Sequence, residues 1–257
     1  MSLKPPSNQR LPDFLRSLGK EDLKPGGSYA AGAALERLQL RAGERLLVIG
    51  PGAASSAVHI ALTRRVDACA LIANESERVA CDDISLGRRL TASVGGVEAL
   101  PFDKPCFDSV LVEATLAELP PARQAAALKE IARVLKPQGR VALNELAWRQ
   151  PPTPEIEARL REIWGAPVHP HVARGWWDLL EGAGFGSVQS DLAVVTYFTR
   201  KGMESDEGAN AVSVFHAAFE NREALKRFTQ AHQEFEENRR YYGVIIAAAT
   251  KAGIAPT

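Results

Sequence analysis

The stretch RLLVIGPGAASS (Arg45–Ser56) decides the fold class of this chain. Its first five residues are mostly apolar and predict a buried strand, after which Gly-Pro-Gly turns the chain into small residues that can open a helix. Glycines at the first strand-to-helix turn of an open α/β sheet let the main chain approach a ligand closely. The turn alone is compatible with a cofactor cradle or with a tight structural corner.

Short apolar runs alternate with helical patterns along the rest of the chain. The further strand candidates are Ala68–Ile72, Leu90–Val94, Ser109–Val112, Arg140–Leu146, Val188–Phe198 and Tyr241–Thr250. The helix candidates are Leu11–Leu18, Tyr29–Leu40, Pro121–Leu135, Ile156–Trp164, Gly175–Glu181 and the longer region Ser205–Arg240. Apolar strands separated by helices predict a parallel sheet with both faces covered.

Composition excludes several classes of partner. The 257 residues contain 31 Lys plus Arg and 31 Asp plus Glu, so no overall field recruits nucleic acid or an anionic membrane. The three cysteines Cys69, Cys81 and Cys106 have no metal-ligand spacing and are expected to be reduced thiols. No apolar signal region opens the sequence, and no run approaches the ~20 apolar residues of a membrane helix. A soluble, cytoplasmic protein is expected.

Four segments have the order and spacing of one known superfamily. They are LKPGG (Leu23–Gly27), RLLVIGPGAASSAVHIAL (Arg45–Leu62), VEALPFDKPCFDSVLVEATLAEL (Val97–Leu119) and ALKEIARVLKPQGRVAL (Ala127–Leu143), continued by ELAW, EGAGF and RRYYGVIIAAATK. Together they resemble the class I S-adenosylmethionine-dependent methyltransferases, in particular a bacterial small-molecule branch with a proline-glycine-glycine loop before the first strand.

The resemblance implies a fold and a division of the chain. The fold is α/β and Rossmann-like, with a mostly parallel seven-stranded sheet, helices on both faces and a helical insertion before the last strand. Residues 1–40 would form N-terminal helices and the Pro-Gly-Gly loop. Residues 41–257 would form the methyltransferase-like domain, with residues 205–240 as a helical cap.

It also implies S-adenosylmethionine as cofactor and a small molecule as substrate. The cofactor-binding residues would be Gly26, Gly27, Gly50, Pro51, Gly52, Ala53, Asn74, Glu75, Val97, Glu98 and Glu113. The substrate-binding residues would be Tyr29, Glu145, Trp148, His171 and Tyr241. No catalytic residue is assigned, because methyl transfer from a sulfonium depends mainly on positioning. No metal is expected, since His169 and His171 have no further Cys or His nearby in the sequence.

Four positions depart from the superfamily's cofactor motifs. Val48, Ile72 and Gly96 stand where acidic residues are usual, and Ala54 replaces the third glycine of the turn. Since a hydrogen bond to a charged group contributes about 1.5–3 kcal/mol, three missing carboxylates would weaken cofactor binding. Glu75, Glu98 and Glu113 could replace them, or could be ordinary helix-terminal and solvated charges.

Two functions therefore remain open at the level of sequence. The chain is either a small-molecule methyltransferase or a methyltransferase-fold protein that has lost its cofactor and acts as a binding or partner module. A dinucleotide oxidoreductase is disfavoured, because the turn lacks G-x-G-x-x-G and no acid ends the second strand. The apolar side of the Ser205–Arg240 region is either core or a face for a homodimer.

Overall fold

Strand β1 (Arg45–Ile49) lies inside one mixed sheet, with its turn at the carboxyl edge. The computed structural model describes residues 9–74 and 89–252. The other strands are β2 (Asp67–Ile72), β3 (Leu90–Val94), β4 (Phe107–Glu113), β5 (Leu135–Trp148), β6 (His171–Val172), β7 (Phe185–Ala193) and β8 (Tyr242–Lys251). Their order is β3-β2-β1-β4-β5-β8-β7, and β6 pairs with β5. Only the contacts of β8 with β5 and β7 are antiparallel among the described pairs, which confirms the mostly parallel sheet.

Helices cover both faces of this sheet. They are α1 (Leu11–Ser17), α2 (Gly27–Arg37), α3 (Ala53–Arg64), α4 (Pro121–Val134), α5 (Pro154–Trp164), α6 (Ala173–Gly182), α7 (Arg200–Glu207), α8 (Ala211–Glu220) and α9 (Arg222–Glu237). Side chains alternate along β1: Leu46 and Val48 pack on the side of α2 and α3, while Leu47 and Ile49 pack on the side of α1 and α4. All four are buried, and each contributes about 1.5–3 kcal/mol relative to exposure.

The predicted helical insertion before the last strand is present, but it is broken into three helices. Asn221 interrupts it, because its side-chain oxygen accepts hydrogen bonds from the main-chain N–H groups of Glu223 and Ala224, at 2.9 and 3.1 Å, and so starts α9. Some apolar side chains of the insertion are buried and others are exposed. Phe228 and Phe235 are buried against Phe198, with ring centroids 5.1 and 5.6 Å away.

Helix α8, by contrast, exposes apolar side chains. Val212 and Phe219 lie seven residues apart, two helical turns, and are 74% and 67% exposed. The homodimer face stays a prediction.

The structure departs from the local expectations at β7 and β6. Strand β7 ends at Ala193 rather than Phe198, because the chain turns away to the loop before α2, where the N–H of Thr196 donates to the carbonyl of Pro25 at 2.7 Å. The two-residue strand β6 was not predicted, since two residues carry no alternation. Within residues 9–74 and 89–252, no helix has the length and apolar character needed to cross a membrane.

The turn after β7 provides a test of how the insertion is attached. Tyr197 is fully buried and its hydroxyl donates to the main-chain oxygen of Leu23. Tyr197→Phe leaves that buried oxygen without its donor and is expected to lower the free energy of unfolding by about 1–2 kcal/mol. Urea denaturation measures this, with Tyr29→Phe as the control, because Tyr29 is 75% exposed. Equal changes in the two variants would contradict the assigned hydrogen bond.

Candidate active site

A cleft of about 900 Å³ opens at the carboxyl ends of the central parallel strands. The strand order reverses between β1 and β4, which is where open α/β sheets bind ligands. Its floor consists of residues 49–55, the turn after β1, together with Ala114, Thr115 and Leu119 after β4. Residues 71–73 at the end of β2, with Gly95 and Val97 beyond β3, form one wall, and the other wall is formed by Arg10, Pro12, Arg16, Glu118 and Trp164.

The two glycines of the turn have different roles. Gly50 has φ 140°, and a Cβ there would overlap the main-chain oxygen of Glu113, so this glycine lets the ends of β1 and β4 touch. Gly52 has φ 78°, and no heavy atom lies within 4 Å of the place of its Cβ. The missing side chain of Gly52 therefore leaves free space beside the main chain. A ligand can approach the turn closely there.

A buried carboxylate fixes the loop after β4. Glu145 of β5 is fully buried and accepts hydrogen bonds from the N–H groups of Thr115, Leu116 and Ala117, at 2.9 to 3.1 Å. Burial raises the pKa of Glu145 to about 7, against the opposite effect of these donors. Ala114 at the start of the loop has φ 46°, a conformation that costs a non-glycine residue about 1–2 kcal/mol. Glu145 thus holds a strained part of the cleft floor in place.

An ionic cluster connects helix α1 with the wall of the cleft. Glu118 accepts hydrogen bonds from the guanidinium of Arg10 and, at 3.1 Å, from the indole N–H of Trp164. Asp13 in turn accepts from Arg10 at 3.0 Å and from Arg16 at 2.9 Å. Burial raises the pKa of Glu118, while Arg10 acts to lower it. The cluster places an ionisable carboxyl group in the wall of the cleft.

The end of β2 and the segment after β3 are apolar where the superfamily has acids. Ile72 is buried, and no acidic side chain occurs in the described residues Leu71–Asn74. Glu98 does not replace a missing acid in this structure, because its carboxylate is paired with the guanidinium of Arg123. That pairing lowers the pKa of Glu98. Glu75 lies outside the described residues.

The structure brings together only part of the predicted cofactor set. Among these residues, Gly50, Pro51, Gly52, Ala53 and Val97 line the cleft. Glu113 is buried beside it, in an adjoining cavity. Gly26 instead packs against Val244, and Gly27 against the carboxylate of Asp206.

None of the five predicted substrate residues lines the cleft in this structure. The carboxylate of Glu145 accepts hydrogen bonds from the loop after β4, and Tyr29 is exposed on α2. Trp148 and His171 line a separate cavity of about 140 Å³, where the His171 ring accepts or donates a 2.6 Å hydrogen bond with Gln124. Burial lowers the pKa of His171. Tyr241 is buried under the guanidinium of Arg240, 4.9 Å from its ring centroid.

Several cleft residues were missed from the sequence. The sequence placed Ile72 at the end of the second strand, with Ala73 directly after it. It did not indicate that either residue lines the cleft. Arg10, Arg16 and Trp164 lie far from the turn in the sequence, and no local pattern connects them with it. Across the described residues, no three His, Cys, Asp or Glu side chains are grouped as metal ligands.

Comparison with known proteins relates this chain to methyltransferases. Residues 47–143 match a family model described as a methyltransferase domain. An uncharacterized protein of Haemophilus influenzae is 26% identical over 239 residues, which cover 90% of this chain and 95% of that protein. YodH of Bacillus subtilis, an uncharacterized methyltransferase, is 25% identical over 182 residues, 69% of this chain and 75% of its own length.

A solved structure shows the same fold. Phosphoethanolamine N-methyltransferase 2 of Haemonchus contortus, in complex with phosphomonomethylethanolamine and S-adenosylhomocysteine, has a TM-score of 0.74 at 16% identity. The match covers 94% of this chain and 57% of that one. At this level of identity the likeness concerns the fold.

Proposed function

Because the chain belongs to the class I S-adenosylmethionine-dependent methyltransferase superfamily, we propose that it transfers a methyl group from S-adenosylmethionine to a small molecule. The observation that carries this proposal is the free space at Gly52, beside a turn whose main chain is held by Gly50. Gly43 has a similar φ and similar free space, but Gly52 lines a cleft of about 900 Å³ at the point where the strand order reverses. The cleft therefore supports a binding function rather than a purely structural corner.

The residues around the cleft suit the proposed cofactor. The main-chain groups of residues 50–54 would hold its central part, and the apolar side chains of Leu71, Ile72 and Val97 would contact the nucleoside. When bound, S-adenosylmethionine supplies an activated methyl group on a sulfonium. Main-chain and apolar contacts would replace part of the affinity that acids at positions 48, 72 and 96 usually provide.

The other wall of the cleft is the proposed acceptor side. Helix α1 and Trp164 line this side, and with cofactor and acceptor bound they would help to keep water from the reacting groups, which favours transfer to the acceptor over side reactions. Glu118 is the carboxyl group that lines this wall, and it could take a proton from an acceptor held there. The position of Glu118, rather than that of Glu145 or His171, makes it the candidate base.

Calorimetric titration with S-adenosylmethionine and S-adenosylhomocysteine tests the proposal. We expect one-to-one binding of both, with no binding of NADH, which carries the same nucleoside on a pyrophosphate. A folded sample that gives no heat with either ligand at about 1 mM would contradict the proposal. At that concentration even weak binding, with a Kd of about 1 mM or about −4.1 kcal/mol, fills a large share of the sites. It would favour the alternative of a methyltransferase-fold binding module.

A further inference from the structure

The charged side chains of the cleft lie on one wall. Among the described residues that line the cleft, the charged groups are the guanidiniums of Arg10 and Arg16 and the carboxyl of Glu118. The floor and the wall at the end of β2 are lined by uncharged residues. The acceptor side therefore holds two permanent cations against one carboxyl group.

Asp13 holds the two guanidinium groups together. Its Oδ2 accepts a hydrogen bond from Nε of Arg10 at 3.0 Å, and its Oδ1 accepts one from Nη1 of Arg16 at 2.9 Å. Asp13 itself is not among the described residues that line the cleft. The like charges of Arg10 and Arg16 are thus brought side by side before a ligand binds, which lowers the cost of ordering them on binding.

Arg16 has unused hydrogen-bond donors. Its side chain is 55% exposed, and within residues 9–74 and 89–252 only its Nη1 donates a hydrogen bond. The remaining edge of a guanidinium, Nε with Nη2, binds a carboxylate or a phosphate through two parallel hydrogen bonds. Arg10 differs, because its Nε and Nη1 donate to Asp13 and Glu118. Arg16 is therefore the residue of this wall that can take up an anionic group.

The charge balance of the filled cleft favours the same kind of ligand. The cluster of Arg10, Asp13, Arg16 and Glu118 is neutral when all four groups are ionised, and it has one positive charge once Glu118 holds a proton. Burial raises the pKa of Glu118, which favours the protonated form. The sulfonium of the proposed cofactor adds a positive charge. An anionic acceptor would balance this charge, whereas a cationic one would meet like charges.

We propose that the methyl acceptor is an anionic small molecule, and that Arg16 binds its carboxylate or phosphate group. The assignment rests on the proposed function, which makes this wall the acceptor side. A bidentate contact with Arg16 would fix the orientation of the acceptor, with Glu118 on the same wall to receive its proton. A molecule without an acidic group would leave the free edge of Arg16 without a partner.

Titration with three related probes tests this assignment. Benzoate, phenyl phosphate and the neutral benzamide are titrated, at constant ionic strength, into protein saturated with S-adenosylhomocysteine. We expect at least one of the two anions to bind at least 10-fold more tightly than benzamide, and the tighter anion identifies the acidic group. Arg16→Gln should weaken that anion at least 10-fold, about 1.4 kcal/mol, and so remove the preference over benzamide.

Arg174→Gln is the matched control. Arg174 lies on α6, its side chain is 63% exposed, and it is paired with Asp178 at 2.6 Å, much as Arg16 is paired with Asp13. It is not among the described residues that line the cleft. The control should bind the anion as tightly as the wild type does, and thermal unfolding should show both variants folded. Equal losses of anion binding in the two variants would indicate a general attraction to positive charge and overturn the assignment.

The outcomes separate this assignment from the proposed function. Wild-type protein that does not bind S-adenosylhomocysteine contradicts the proposed function, and the acceptor assignment falls with it. Protein that binds S-adenosylhomocysteine but prefers neither anion over benzamide overturns the anionic acceptor alone. Anions that bind the free protein and are displaced by S-adenosylhomocysteine also overturn it, because they occupy the cofactor's part of the cleft.

Discussion

Gly52→Asp is expected to reduce the affinity for S-adenosylhomocysteine at least 100-fold, about 2.7 kcal/mol. Position 52 has φ 78°, which aspartate adopts more readily than most residues, so the fold should be retained. The new carboxylate would enter the space within 4 Å of the turn that is now free. It would prevent the close approach of a ligand to the main chain.

Gly43→Asp provides the matched control for this variant. Gly43 also has a left-handed conformation, with φ 84° and free space around its missing Cβ, but it precedes β1 at the opposite edge of the sheet. Calorimetry should therefore show that Gly43→Asp binds S-adenosylhomocysteine as tightly as the wild type does. The thermal stabilities of Gly43→Asp and Gly52→Asp should change by a similar amount. Unchanged affinity in Gly52→Asp would mean that the ligand binds elsewhere.

Glu145→Ala is expected to lower the free energy of unfolding by about 3–5 kcal/mol at pH 7. The substitution leaves three buried N–H groups without an acceptor, at about 1–3 kcal/mol each, partly relieved by relaxation of the loop. It also leaves a space under the cleft floor. Because Thr115 lines the cleft, the affinity for S-adenosylhomocysteine should fall with stability.

Urea denaturation compares this variant with Glu157→Ala, which removes a half-exposed carboxylate paired with Arg161. The control should stay within about 0.5 kcal/mol of the wild type, as is usual for surface ion pairs. A small effect of Glu145→Ala would show that the loop after β4 is held by other contacts. It would restore Glu145 as a candidate for the substrate-binding role expected from its position in the sequence.

The sheet was predictable because each strand leaves a local signal. Arg45–Ile49 and Leu90–Val94 were predicted with their observed bounds, since apolar runs end at turn residues there. The Gly-Pro-Gly turn alone left a cofactor cradle and a structural corner open, and its cofactor-binding role was predicted from the resemblance of the neighbouring segments. Thr196 and Tyr197, in contrast, are held by the loop before α2, so the β-forming sequence after Ala193 does not extend the strand.

The roles of the charged residues were not predictable from local patterns. Glu145 lies at the end of a strand, where a polar side chain normally indicates a ligand, yet its partners are N–H groups about 30 residues earlier. Glu98 was predicted as a cofactor-binding residue, and the fold pairs its carboxylate with Arg123, 25 residues later in the chain. Arg10 contacts Glu118, 108 residues away in the sequence, and Asp206 contacts Ser28, 178 residues away. Such pairings depend on tertiary structure alone.

A crystal structure of the protein grown with saturating S-adenosylhomocysteine tests the central claim most directly. We expect density for the ligand in the cleft, with the nucleoside beside Val97, the thioether over the Gly50–Gly52 turn and the amino-acid end directed to Glu113. Ligand density on another surface, or an empty cleft in crystals of well-folded protein at saturating ligand, would contradict the assignment of this cleft as the cofactor site of a methyltransferase.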